Sequence, residues 1–236
     1  MFMSVLSAEK VRCLSLGVRG LDDVFPGFEL GDFVVLYGDA AASLSFTLPV
    51  RCQFPVARGG LACSSVFVDG GNMFSPYAVA QTARECGVDY RKVLGMVYVS
   101  RAFTAYQFSS LIMERLRPVL KKTKARLLIV SDVTSLFLDR DLPQTEAREL
   151  FTRVCHTLSE IAAEKQTLVV ATYFPEDRSR QGLFFEAFLF GKCDVLARLR
   201  RKGKMLNFIL EKHPRVKPFD MDFTVGAASS AAVLEA

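Results

Sequence analysis

Histidine is scarce in this chain. His156 and His213 are the only two and stand far apart, so each reads as a helix or loop residue rather than a metal ligand or a general base. Cysteine is present but unclustered: Cys13, Cys52, Cys63, Cys86, Cys155 and Cys193 form no C-x-x-C pair. That excludes a recognisable zinc motif or disulfide framework and suits reduced core thiols in a cytosolic protein, so no metal site is expected. No apolar run approaches the roughly 18 residues of a membrane span. The opening MFMSVLSAEK is too short and soon too charged to read as a signal peptide. Internal repeats are lacking as well.

What is present is apolar and unevenly charged. Half of the 236 residues are hydrophobic and the mean hydropathy is +0.23. This suits one sizeable domain with a well-buried core, and an apolar face given over to a partner. The net charge is +5, but residues 198–217 alone carry eight Lys/Arg against Glu211, leaving the remainder slightly acidic. Basicity this local suggests a polyanion contact.

Strand-length apolar runs alternate with segments of helical period. Residues 33–38, 64–70, 95–102, 126–133 and 167–174 read as buried strands, rich in Val and Ile. Between them, 74–87 reads as a helix with a proline in its first turn. Residues 105–122 read as an amphipathic helix with Pro118 near its last turn or a kink, and 143–165 as a third helix. The alternation predicts an α/β fold, a mainly parallel twisted sheet with helices on both faces. Residues 193–214 read as a β-hairpin turning at Lys202-Gly203 and added to the sheet edge. The expected organisation is an N-terminal segment 1–13, a core 14–223 and a small-residue tail 224–236.

After the first strand comes GDAAASLS, residues 38–45. A phosphate-binding loop reads G-x-x-x-x-G-K-[ST], with backbone amides wrapping phosphate, lysine neutralising charge and the hydroxyl holding magnesium. Gly38 opens this loop, but Ser43 stands at the second glycine, Leu44 at the lysine and Ser45 at the hydroxyl position. Asp39 adds negative charge where a triphosphate would arrive, and Pro49 is expected to remove a donor early in the following helix. Ser43 and Ser45 at a helix start leave weak anion binding as an open alternative.

The order of these pieces resembles the ATPase core of the RadA/RecA-type recombinases, in its archaeal and eukaryotic branch. LSLGVRGLDDVFPGFELGDFVVLYG resembles the family's entry segment, RKVLGMVYVSRAFTAYQ its third strand with R-A-F, LLIVSDVTSLF its fourth strand, and VLARLRRKGKMLNFILEKHPRVKP its terminal hairpin. The resemblance implies a RecA-like core and an archaeal source. It also locates departures from that family's chemistry. Asp69 is kept, but Gly71 stands where the resemblance implies a catalytic glutamate. Ser131 precedes Asp132, so the magnesium-supporting carboxylate falls one residue late, which strand alternation would turn away from a metal. Thr172 is followed by Tyr173 and Phe174 where a polar sensor belongs. With these groups lost together, phosphoryl transfer lacks its positioning and charge-stabilising parts, and no enzyme activity or cofactor is expected.

The resemblance also implies surfaces for DNA and for side-by-side assembly. Arg198, Arg200, Arg201, Lys202 and Lys204 on the hairpin are candidate DNA contacts, with an edge-protecting charged hairpin as the alternative. Arg178 and Arg180 beside Phe184, Phe185, Phe188 and Phe190 could stack single-stranded bases, although packing of those rings on the core is favoured. KKTKAR, 121–126, reads as a solvated helix end. FMSV near the N-terminus lies where the family's F-x-x-A linker belongs but has Val5 in place of alanine. The expectation is a cytoplasmic, nucleoid-associated, core-only pseudo-ATPase. It would be an adaptor in recombination and repair that binds a recombinase, another paralogue or itself, together with single- or double-stranded DNA. The alternatives are a KaiC-like scaffold without a DNA role, and an ATPase whose lysine comes in trans or from Lys192, Lys202 or Lys204.

Overall fold

A computed structural model of the chain describes residues 12–18, 20–164, 166–175, 179–203 and 205–224. Entry into the domain is made by β1 (Cys13–Leu14), a single-turn α1 (Leu21–Val24) and β2 (Phe28–Glu29), with β1 antiparallel to β2. The Val- and Ile-rich runs then form β3 (Phe33–Tyr37), β4 (Ser65–Asp69), β5 (Val97–Arg101), β6 (Leu127–Ser131) and β7 (Leu168–Tyr173). The last three strands are β8 (Val195–Lys202), β9 (Met205–Lys212) and β10 (Phe219–Thr224). They lie in one sheet in the order β10-β9-β8-β3-β7-β6-β4-β5, parallel from β8 to β5 and antiparallel across β8-β9-β10.

Crossovers between the parallel strands are helical: α2 (Ala41–Arg51), α3 (Pro76–Glu85), α4 (Tyr90–Leu94), α5 (Ala105–Ser110), α6 (Leu116–Thr123), α7 (Gln144–Ala163) and α8 (Arg180–Lys192). Local chemistry fixes several of their starts. The Ser75 hydroxyl accepts the Ala78 N–H at 3.2 Å ahead of Pro76, and the Thr104 hydroxyl accepts the Gln107 N–H at 3.2 Å. Between α5 and α6 the helix widens to a π-helical segment, Leu111–Arg115. Pro118, the third residue of α6, follows it directly, and the wider turn accommodates a ring that would otherwise press on the Glu114 carbonyl. Pro118 therefore sits mid-element, not in a last turn.

Alternation along the strands sorts the core into two layers. Phe33, Val35, Val68, Val130 and Ala171 face α5 to α8, where Phe137, Phe151 and Phe185 pack. Val34, Leu36, Phe67, Ile129 and Val170 face the entry segment and α2, together with Phe208 of β9. A smaller cluster of Val50, Phe54, Val79, Ala83 and Val93 joins α2, α3 and α4. Among the described residues no helix is long and apolar enough to cross a membrane.

One strand expectation is corrected and another is extended. The run at 95–102 is not buried: β5 is the sheet's outer strand, with Tyr98 43% and Val99 40% exposed. The C-terminal hairpin is added at the other side of the parallel strands, as expected, but it is not the last element there: β10 pairs along β9 and ends at Thr224. Lys202 pairs with Met205 across the hairpin, and Gly203 adopts φ +60°. The small-residue tail and the FMSV segment lie outside the described residues.

Candidate nucleotide loop and basic hairpin

Gly38 leaves β3 with φ +105°, and a Cβ there would stand 2.3 Å from the Leu199 carbonyl oxygen of β8. Only glycine allows that approach. From this contact the loop folds inward. The N–H of Gly38 donates to the Tyr173 carbonyl, that of Ala40 to Leu199, that of Ala41 to Gly38 and that of Ser43 to Ala40, at 3.0–3.4 Å. Asp39 accepts the Arg201 N–H at 3.0 Å, so its carboxylate is a second tether between loop and hairpin.

The helix consequently starts at Ala41, inside the phosphate-loop pattern. Ser43 and Ser45 are its third and fifth residues instead of standing at its mouth, and Pro49 is its ninth residue, near its end rather than early. The early start also sets the rotation of α2. Leu44, at the lysine position, is 4% exposed and packed in the core with Leu36 and Leu48. Ser45 is buried and donates its hydroxyl to the Ala42 carbonyl at 2.7 Å. Four amides of the loop, those of Gly38, Ala40, Ala41 and Ser43, are thus paired, and the hydroxyl that would hold magnesium is turned onto its own helix. Residues 38–45 carry no cationic side chain, and Ser45 is buried against its own helix.

The other expected positions converge beside the loop, at the C-terminal ends of β4, β6 and β7. Asp69 is fully buried; its carboxylate accepts the N–H groups of Met73 and Phe74 at 2.9 and 3.0 Å and the Arg101 Nε at 3.1 Å. It thus organises the turn after β4. Ser131 ends β6, and its carbonyl accepts the Gly70 N–H at 3.0 Å. Asp132 lies past the strand in the left-handed region, φ +50°, with its N–H donating to Thr172 Oγ1 at 2.9 Å. Strand alternation therefore does not set its direction. A Cβ on Gly71 would meet Asp132 Cβ at 2.7 Å and Oδ2 at 2.9 Å, so Asp132 occupies the room a longer side chain at 71 would need. Tyr173 donates its hydroxyl to Glu186 at 3.0 Å.

The hairpin's cations divide into two sets. Arg198 pairs with Glu211 at 2.7 Å, donates from Nε to the Tyr37 hydroxyl at 2.6 Å, and lies over the Tyr37 ring. The Tyr37 hydroxyl donates to the same Glu211 carboxylate, and burial together with that carboxylate pushes its pKa up to about 12. Lys202 pairs with Asp222 of β10 at 3.0 Å. Arg200 and Arg201 point outward and make no ion pair among the described residues. Lys204 and Arg178 lie outside the described residues. Arg180 is exposed at the start of α8, but the aromatic run behind it is core filler: Phe185 is fully buried, 4.4 Å from Phe151, with Phe184, Phe188 and Phe190 packed around it. Lys192 stands over the Phe188 ring, so neither it nor Lys202 replaces the missing lysine here.

Sequence reasoning missed Tyr37 and Glu211 as partners of Arg198. The signal was present in Glu211, the single carboxylate of a strongly basic stretch. It also missed the exposed apolar side chains along and beside β5, which include Met96, Phe103 and Tyr106.

Comparison with known proteins agrees with this architecture. A family profile described as Rad51 matches residues 7–176, well over half of the chain. DNA repair protein RAD51 of Mycosarcoma maydis is 31% identical over 128 residues, 52% of this chain and 38% of that protein. DNA repair protein RAD51 homolog B of Zea mays is 29% identical over 140 residues, 57% of this chain and 41% of that protein. DNA repair protein RAD51 homolog 1 of Arabidopsis thaliana is 31% identical over 140 residues, with the same coverage. The chain thus spans about two fifths of the length of these curated relatives.

Proposed function

This chain belongs to the Rad51 family, and from that premise we propose that it is an accessory subunit of recombination and repair that neither binds nor hydrolyses ATP. The observation that carries the reading is the closed loop after β3. Four of its amides are paired, its lysine position is a buried leucine, and Asp39 is tied to the hairpin backbone. Hydrolysis needs charge stabilisation at the phosphates, and Leu44 and Gly71 offer none.

The fold then serves for its surfaces. At one edge, β5 leaves a row of backbone groups unpaired within the sheet, flanked by exposed Met96, Tyr98, Val99 and Phe103. An open apolar strand is suited to pairing with a segment of another Rad51-family subunit or of a second copy. At the other end of the sheet, Arg200 and Arg201 offer a two-cation contact for a DNA backbone. Such a contact weakens with salt according to the few phosphates neutralised.

Two measurements test the reading. A thermal-shift titration with magnesium and ATP is expected to leave the melting temperature unmoved; a magnesium-dependent rise would overturn the inert-loop reading. A nuclease-treated pull-down from the host is expected to recover a recombinase or a paralogue in near-equal amount. Recovery only of partners with no link to DNA would overturn the recombination role.

A further inference from the structure

We propose that Cys52 and Cys63 form a peroxide-oxidisable dithiol whose disulfide staples the end of α2 to the start of β4. Cys52 caps the C-terminus of α2, and Cys63 lies two residues ahead of β4. The Cys52 carbonyl accepts the N–H groups of Leu61 and Cys63 at 3.0 and 3.2 Å. Each sulfur also approaches the other residue's carbonyl oxygen, at 3.5 and 3.9 Å, which brings the two thiols to the same end of α2. The connecting residues are already tightly folded. Gly59 is left-handed, Gly60 stands so close to the Phe54 carbonyl that a Cβ would meet it at 2.0 Å, and Ala62 holds φ +49°. The two backbones are thus already joined by hydrogen bonds at the point where the disulfide would close.

The surroundings also select this pair. Burial raises the thiols of Cys13, Cys52, Cys86, Cys155 and Cys193. Cys63 is lowered instead, first by the hydrogen bond from Cys52, with the Arg126 cation assisting, and it retains slight exposure at 6% against 0% for Cys52. Cys63 is therefore the attacking sulfur. Its thiolate attacks hydrogen peroxide, the O–O bond breaks, and Cys63 sulfenic acid and hydroxide form, the hydroxide taking up the proton the thiol released. Cys52 sulfur then attacks the Cys63 sulfur, its proton leaves with the sulfenic oxygen as water, and the S–S bond closes. Overall, two thiols and one peroxide give one disulfide and two waters.

The test treats the intact protein with hydrogen peroxide, alkylates it under denaturing conditions and digests it with trypsin. Arg51, Arg58 and Arg84 flank the cysteines, so the disulfide would join peptide 52–58 to peptide 59–84. The expected result is that linked pair, a 2 Da mass loss, and a melting temperature raised by about 5 °C and restored by dithiothreitol. The Cys63→Ser protein is expected to show none of these changes. Cys63 driven to sulfinic acid with Cys52 still free, oxidation of other cysteines only, or a linked peptide with an unchanged melting temperature would each overturn the staple.

Discussion

The loop after β3 and the hairpin that touches it treat charge in opposite ways. In the loop, the position that should carry a cation is Leu44, folded into the core, and the one charged side chain, Asp39, is bound to a backbone N–H of the hairpin. On the hairpin, Arg198 is drawn into the fold by Tyr37 and Glu211, while Arg200 and Arg201 remain outside. A site loses a ligand when its polar groups find partners within the chain. A surface stays available when its charges find none.

The largest expected break in that contrast comes from putting the cation back. Leu44→Lys places an ammonium where the core already closes, without an anion to meet it. The expected cost is about 4 kcal/mol, a fall of roughly 10 °C in melting temperature, with no gain of ATP binding. Calorimetry with and without nucleotide checks both halves. Gly71→Glu should come next, near 2–3 kcal/mol, because the new side chain must displace Asp132, and chemical denaturation would read it.

Sharpening the hairpin side needs a paired comparison. Arg198→Ala removes a partly buried partner of Tyr37 and Glu211 and is expected to lower stability by about 1–2 kcal/mol while changing DNA affinity little. The Arg200→Ala, Arg201→Ala double variant is expected to leave stability within about 0.5 kcal/mol. It should weaken DNA binding several-fold and flatten the salt dependence by about two phosphates' worth. Fluorescence anisotropy over a salt series separates the two. Equal loss of binding in both variants would return Arg198 to the contact surface.

Local pattern carried much of the architecture. The Val- and Ile-rich runs gave the parallel strands because burial on both faces demands continuous apolar sequence, and Ser75-Pro76 marked a helix start by capping chemistry. The shortfalls were matters of distance along the chain. Nothing within residues 38–45 says that Leu199 and Arg201 will come against them and let α2 begin at Ala41. Nor does 198–204 say which arginine will meet Tyr37. The place of β5 at the edge follows from strand order, which a run such as GMVYVSRA does not encode. The strand β10 was missed although its signal was local: Phe219, Met221 and Phe223 alternate with Asp220 and Asp222, the period-2 pattern of a half-buried strand.

A different kind of effect belongs to the opposite end of β3, where a carboxylate is buried with no ion pair among the described residues. Asp32 is 8% exposed and accepts the Glu29 N–H at 2.7 Å, and burial, then the charge of Asp194, pushes its pKa up to about 7. Its neighbour Glu29 is paired with Arg215. Unfolded, Asp32 would titrate near 3.9. The native state therefore holds a proton that the unfolded chain releases. The stability this contributes is full below about pH 4 and is lost as pH rises through 7. Asp32→Asn keeps an oxygen for the Glu29 N–H and abolishes the titration. It should stabilise the protein at pH 8 by about 1–2 kcal/mol, after allowance for solvent screening, and make no difference near pH 4. Melting curves of both proteins at the two pH values decide it. A constant gap would mean that Asp32 stays ionised throughout, and that Asp194 and the turn's N–H groups tolerate its charge.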